Sequence, residues 1–318
     1  MTVTAMAGRA TAWPATTVEW TTPKDLASSS TAAPRYDFTE GTGGLIIMPG
    51  AKGFDAPDWL LHYEEMPAMD GAFLNNVRAN SRELFLPLFM YADDRPTYMR
   101  MKRDFLASIN PVYGPGKLTL TEGDGSSRFI TAYYTGGAEG DEGEETSGFT
   151  WCKYGVILRA MDPYWYAGSS QVVEFTPGAN DLKKFFGEPF FGLYLNSNQE
   201  LNGDSAISVT GDVDTWPVWY LHGPGRDWTF TRKVNGGPDR TFRLNLSLGG
   251  DESVVIDTRP GSKSVTNQAT GENLWGYLGP NPDLWPIAPG ENRADISMDG
   301  AGAESAVTMV YTPRYLSA

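Results

Sequence analysis

Residues Asp94–Tyr134 read DRPTYMRMKRDFLASINPVYGPGKLTLTEGDGSSRFITAYY. This stretch holds the one strong helical pattern in a chain that otherwise reads as strand and turn. Asp94 is a good N-cap, and Pro96 falls in the first turn, where a missing N–H costs nothing. Tyr98, Met101, Phe105 and Ile109 recur on one face, with Leu106 on its flank and Lys102 beside it. Asn110-Pro111 stops the helix, because the residue before proline is pushed out of the α region. Tyr113-Gly114-Pro115-Gly116 then turns sharply. Leu118 and Leu120 alternate, Gly123-Asp124-Gly125 turns again, and Arg128–Tyr134 returns as a second strand. A single amphipathic helix feeding a hairpin, inside a β-rich sequence, is an architectural part of the first half.

The surroundings agree. The chain has 318 residues, 41% of them hydrophobic and 20% charged, with 36 Gly and 22 Pro. That is enough for one large or two ordinary domains built from short strands and tight turns. Before the helix, Leu45–Met48 stops at Pro49-Gly50. Trp59–Tyr63 and Asn76–Arg78 flank a turn at Met69–Ala72. Arg82–Phe89 is β-like, with Pro87 pointing to an edge or a bulge. After it, Cys152, Tyr154, Val156, Leu158 and Ala160 alternate with polar positions, giving a half-buried strand. The second half reads as strands at Ile207–Thr210, Trp216–Leu221, Trp228–Lys233, Thr241–Leu248, Val254–Asp257 and Val307–Tyr311. Gly/Pro turns separate them, and the only helical signal is a weak one at Asp181–Phe186. The pattern suggests a β-sandwich. The fold class expected is therefore mainly β. An N-terminal arm spans 1–35, with one possible strand near Thr17–Trp20. A β-rich domain with one α-helix spans 36–170, and a β-sandwich spans 171–318.

Chemistry is sparse. Formal net charge is −14, so the chain would repel a phosphate backbone and anionic lipid alike. The longest apolar run, Leu84–Ala92, is too short to span a bilayer, and no signal peptide is visible. The lone Cys152 permits no intrachain disulfide, which suits a reducing cytoplasm. His62 and His222 have no second histidine or cysteine at metal spacing. Gly116-Lys117 lacks the rest of a phosphate loop. Asp212-Val213-Asp214 beside Asn202-Gly203-Asp204 could serve as a calcium loop or a carboxylate pair, and turn capping is the simpler reading. The acidic stretch Gly136–Gly148 reads as a solvated loop. Of ten tryptophans, alternation puts Trp216 and Trp228 in a core. Trp219, Trp275 and Trp285 remain candidates for a platform under pyranose faces. Neither metal nor cofactor is expected, and no catalysis.

Two sets of residues go further. Gly71-Ala72, Arg78, Arg82-Glu83, Pro87-Leu88, the helix, Asn110-Pro111, Gly114-Pro115-Gly116-Lys117-Leu118, Gly125, Arg128, Tyr133-Tyr134 and Gly136 occur in that order. They resemble the N-terminal domain of phage distal tail proteins, the siphovirus-type tail component family. Asp162-Pro163-Tyr164-Trp165 fits the same pattern. Gly223-Pro224, Ile256–Gly261, Leu284-Trp285 and Pro289–Asn292 resemble that family's C-terminal domain, as in minor tail proteins of actinobacterial phages.

The resemblance implies a ring-forming first domain and a galectin-like sandwich. It implies a homohexameric ring between the tail tube protein and the tail-tip hub, with receptor-binding proteins as further partners. DNA would pass through the lumen without sequence-specific contact. Such a protein assembles in the host cytoplasm and resides at the distal end of the virion tail. The resemblance marks Arg78, Arg82, Glu83, Pro87, Phe105, Pro111, Gly114, Gly116, Arg128 and Tyr134 as structural or ring positions. The alternative is a carbohydrate-binding sandwich that recognises host surface glycans.

Overall fold

The computed structural model describes residues 16–23, 35–39, 44–67, 70–140, 150–175, 200–234, 236–302 and 304–318, with 200–204 as backbone only. The chain forms two compact units. One runs to Gly168 and also includes Tyr315–Ala318; the other is Ser169–Arg314. The chain thus leaves unit 1, builds unit 2, and re-enters unit 1 for four residues. Most of the arm (1–15 and 24–34), the core of the acidic loop (141–149) and the helical signal at 181–186 lie outside the described residues.

Unit 1 contains β1 (Thr17–Thr21), β2 (Arg35–Asp37), β3 (Leu45–Ile47), β4 (Trp59–Glu65), β5 (Ala72–Ala79), β6 (Arg82–Tyr91), α1 (Arg95–Ser108), β7 (Gly116–Thr121), β8 (Ser127–Gly136), β9 (Trp151–Ala160) and β10 (Trp165–Ala167). Its main sheet runs β2-β1-β7-β8-β9-β6-β3. The two ends nearly meet: the Ile47 amide donates to the Phe38 carbonyl at 2.8 Å, and the Phe38 amide to the Val18 carbonyl at 2.8 Å. The sheet therefore curls into an almost closed barrel. The possible strand at Thr17–Trp20 is real. It sits between β2 and β7 with Val18 and Trp20 buried, so part of the stretch read as an arm is barrel wall.

The helix forms as its caps dictate. The Thr97 amide donates to Asp94 Oδ1 at 2.9 Å, and α1 stops before Asn110-Pro111. Tyr98, Phe105 and Ile109 are buried in the barrel core with the inward residues of β6 and β9. The Phe105 ring meets Tyr36 and Phe38 edge-on at 5.7 and 6.3 Å, the arrangement aromatic quadrupoles favour.

Pro87 requires a correction. It does not lie on an edge, because β6 has β9 on one side and β3 on the other. Pro87 faces the β3 side, where its carbonyl accepts from the Met48 amide at 2.7 Å. Pairing is irregular there, since Leu88 faces Ile47 but Phe85 next faces Lys52, so Pro87 fits the bulge reading and not the edge one.

Unit 2 is a two-layer sandwich. Its strands are β11 (Gln171–Phe175), β12 (Glu200–Val209), β13 (Val218–His222), β14 (Arg226–Lys233), β15 (Arg240–Leu244), β16 (Ser253–Asp257), β17 (Ser264–Asn267), β18 (Gly290–Asp299) and β19 (Ala306–Tyr311). They form the sheets β11-β19-β13-β16-β17 and β12-β18-β14-β15. A last short strand, β20 (Arg314–Tyr315), pairs with β10. The two inner faces share one apolar core. Trp219 of β13 meets Phe230 of β14 at 5.0 Å and Trp285 at 5.4 Å, and Phe230 stacks on Phe242 at 4.5 Å. This is the sandwich that alternation predicted.

Candidate assembly surface

The strands β4 and β5 belong to no larger sheet. They form a two-stranded hairpin outside the barrel wall. Its register pairs Trp59 with Ala79, Leu61 with Val77 and Tyr63 with Leu74, and Asn75 is a bulged extra residue between the last two pairs. With a side-chain period of two, these residues share one face. The other face carries Leu60, His62, Glu64, Phe73, Asn76 and Arg78. The first face is apolar up to Glu65 at its end, yet Trp59, Leu61, Tyr63, Leu74 and Val77 are 47, 52, 58, 58 and 43% exposed. An isolated two-stranded hairpin is marginal in water, and a contiguous apolar patch of this kind marks an interaction site. Both outer edges of the hairpin also keep backbone N–H and C=O groups available for pairing. Arg78, on the mixed face that also carries exposed Leu60 and Phe73, is the one predicted ring residue located here.

Arg82 and Arg128 serve a different purpose. Arg82 is buried at 3% exposure and, among the described residues, forms no ion pair with a carboxylate. Its guanidinium donates to the backbone carbonyls of Gly53 (2.9 Å), Asp55 and Leu316 (2.6 Å). Burial lowers its pKa, and the nearby Asp55 and Asp58 charges oppose that shift. Arg128 lies over the Tyr315 ring at 3.9 Å and donates to the Ser317 carbonyl at 2.9 Å. The Ala318 amide donates to the Phe54 carbonyl at 2.8 Å. Phe54 in turn stacks on Trp165 at 5.8 Å. Two residues singled out by sequence as ring positions thus hold the returning four-residue segment.

The other marked residues are structural parts of unit 1. Glu83 pairs with Arg159 at 3.1 Å on the outer surface. Pro111 opens a short 3-10 turn, Pro111–Tyr113, whose end is the left-handed Gly114 at φ 96°. Gly116 lies against the Trp20 indole, where any Cβ would collide with the ring. The Tyr134 hydroxyl accepts from the Ala138 amide at 3.1 Å. Tyr98 and Tyr154 sit in the core beside Cys152, and burial raises both phenol pKa values.

The glycan platform is reduced. Trp219 and Trp285 are fully buried, so neither can offer a ring face to a sugar. Pro217 breaks the alternation read from Trp216: the strand starts at Val218, and Trp219 and Leu221 point inward. Trp228 is buried as expected, while Trp216 is half-buried with Lys263 at 5.7 Å from its ring. Trp275 remains 39% exposed, on the turn that also carries exposed Tyr277. Among the described residues, no three His, Cys, Asp or Glu side chains gather as a metal would need. The His222 ring hydrogen-bonds Ser253 at 2.8 Å, across a strand pair. Sequence reasoning did not see the apolar face of the hairpin. Its signal was there in the alternation of Trp59, Leu61 and Tyr63 opposite Leu74 and Val77.

Residues 38–149, from the segment after β2 through α1 and the β7–β8 hairpin, match the phage tail protein RIFT-related domain. The matched stretch holds β3 to β8 and the helix α1 of unit 1. Among solved structures, SPP1 Dit (gp 19.1) is described as a paradigm of the hub adsorption apparatus in phages infecting Gram-positive bacteria. It aligns with a TM-score of 0.61 at 11% identity, over 93% of this chain and 98% of that one. A chain of the phage P2 baseplate in its activated conformation with Ca aligns with a TM-score of 0.51 at 8% identity, over 91% and 99%. At these identities the likeness is one of fold. No curated protein sequence matches the chain. No helix among the described residues is long and apolar enough to cross a membrane.

Proposed function

We propose that this chain is a structural protein of a phage tail and serves as a distal adaptor: six copies close into a ring that joins the tail tube to the tail-tip hub. The observation that carries the proposal is the uncovered apolar face of the β4–β5 hairpin. The hairpin, apolar on one face and outside the barrel sheet, is the part of unit 1 suited to docking on a second copy. Such a contact is head to tail, two different patches per subunit, and it closes a ring when the rotation fits. Covering five half-exposed apolar side chains contributes roughly 5 kcal/mol per contact, a part of which offsets the cost of association. The fold likeness to SPP1 Dit over nearly the whole chain supports the distal placement. The charge of −14 suits a lumen through which DNA passes without sticking. The tail tube protein, the hub and receptor-binding proteins are the partners on this reading, and the virion tail is its site.

The test is made in assembled particles, where every ring partner is present. Electron microscopy should show this chain as a six-fold ring between tube and tip. Leu61→Glu with Val77→Glu should give particles that lack the ring and everything beyond it. Another symmetry, another position, or normal tails from the double variant would defeat the proposal. Since β1 is barrel wall, a test of the arm removes residues 1–15 rather than 1–35; unchanged rings would then exclude it from the contact.

A second reading rests on Trp275 and Tyr277, two exposed aromatic rings on one turn of unit 2. They suit a sugar face. Binding of host cell-wall glycan that survives Trp275→Ala and Tyr277→Ala unchanged would remove them.

A further inference from the structure

We infer that unit 1 contains a peptide-binding groove whose ligand is the chain's own segment Tyr315–Ala318. By this groove, unit 1 completes its fold only after all of unit 2 has been translated. Three contacts hold the segment through its backbone: Arg82 to the Leu316 carbonyl at 2.6 Å, Arg128 to the Ser317 carbonyl at 2.9 Å, and the Ala318 amide to the Phe54 carbonyl at 2.8 Å. One contact reads a side chain, the Arg128 guanidinium over the Tyr315 ring at 3.9 Å. Tyr315 and Ala318 also pack on the barrel core. The ligand class is therefore an extended peptide with an aromatic residue, recognised largely through its main chain.

The segment is not an ornament on a finished barrel. Arg82 is 3% exposed, and its Nε has no hydrogen-bond partner. The buried cation relies on three carbonyls, and Leu316 supplies one of them. Without the segment, a buried guanidinium loses part of its compensation, which costs far more than an exposed contact would. The other two carbonyls come from Gly53 and Asp55, so the same cation fixes the loop before the hairpin. Residues 315–318 follow the whole of unit 2 in the sequence. A nascent chain that has made every strand of the barrel still lacks the group that satisfies Arg82. The inference does not rest on ring assembly, and either can fail alone.

Amide hydrogen exchange on the full chain is the first test. The Ala318 amide should be protected as strongly as amides of β6 and β9. Exchange at the random-coil rate would overturn the inference. The second test removes residues 315–318. The melting temperature of unit 1 should fall by about 5 °C or more. A synthetic peptide of residues 313–318 should restore it in a concentration-dependent way, and the same peptide with Tyr315→Ala should not. Arg128→Ala in the full chain should lower the same transition, leave unit 2 unchanged, and release Ala318 to exchange. An unchanged melting temperature after truncation, or a truncated chain that ignores the peptide, would overturn the groove.

Discussion

Strand β6 and the β4–β5 hairpin lie next to each other in the sequence of unit 1 and follow the same binary alternation, yet they end in opposite environments. On β6, Leu84, Leu86, Leu88 and Met90 vanish into the barrel. On the hairpin, Trp59, Leu61, Tyr63, Leu74 and Val77 stay open. Composition does not separate them; the presence of a covering layer does. The helix α1 and the inward side chains of β9 close over β6, while among the described residues of the unit none closes over the hairpin's first face. An apolar stripe specifies that a face is to be buried. Which molecule buries it depends on where the topology leaves the stripe.

Substitutions sharpen this contrast in descending order of effect. Phe105→Asp places an unpaired charge among Tyr36, Phe38 and the barrel core, and should abolish folding of unit 1, a loss of more than ~5 kcal/mol. Loss of the unit 1 transition in a calorimetric scan would confirm it, and a retained transition would break the assignment of α1 as core. Leu86→Ala leaves a cavity under the helix and should destabilise unit 1 by about 3 kcal/mol in urea unfolding. Leu61→Ala, the same chemical change on the hairpin, should alter the stability of the isolated chain by less than ~0.5 kcal/mol while weakening association between copies. A stability loss equal to that of Leu86→Ala would mean that the chain covers the hairpin itself.

The smallest effect belongs to Asp94. Its carboxylate accepts the Thr97 amide and hydroxyl, which hold its pKa below the ordinary carboxylate value. A depressed carboxylate adds stability that is fully present above its unfolded pKa, ~3.9, and is lost as pH falls through the lower folded value. Asp94→Asn should remove that part of the acid sensitivity. A pH profile identical to the wild type would rule out the cap as its source.

These contrasts also show what the sequence could reveal. Helix α1 was legible because cap, period and stop signal all agree within twenty residues. The strand β9 was legible because five inward residues alternate without interruption. Pro87 was half legible: a missing donor marks an edge or an irregular pairing, and here it marks the irregular stretch between Ile47 and Lys52. The Trp216–Leu221 alternation was shifted by Pro217, which moved Trp219 from platform to core. Strand β18 was hidden because its inward positions are Asn292, Ala294, Ile296 and Met298. Asn292 spends its side chain on the Ala288 and Gly290 backbone, so the row does not read as apolar. The roles of Arg82 and Arg128 were out of reach, since their partners lie 234 and 189 residues away in sequence.

Cys152 gives the barrel a built-in reporter. It is the chain's single sulfhydryl, fully buried on β9, and a side chain at Gly140 would collide with its sulfur. A thiol reagent cannot reach it while β9 keeps its neighbours. The pace at which Ellman's reagent colours a solution of the protein therefore times how often the wall opens. It can be read during tail assembly without adding any label.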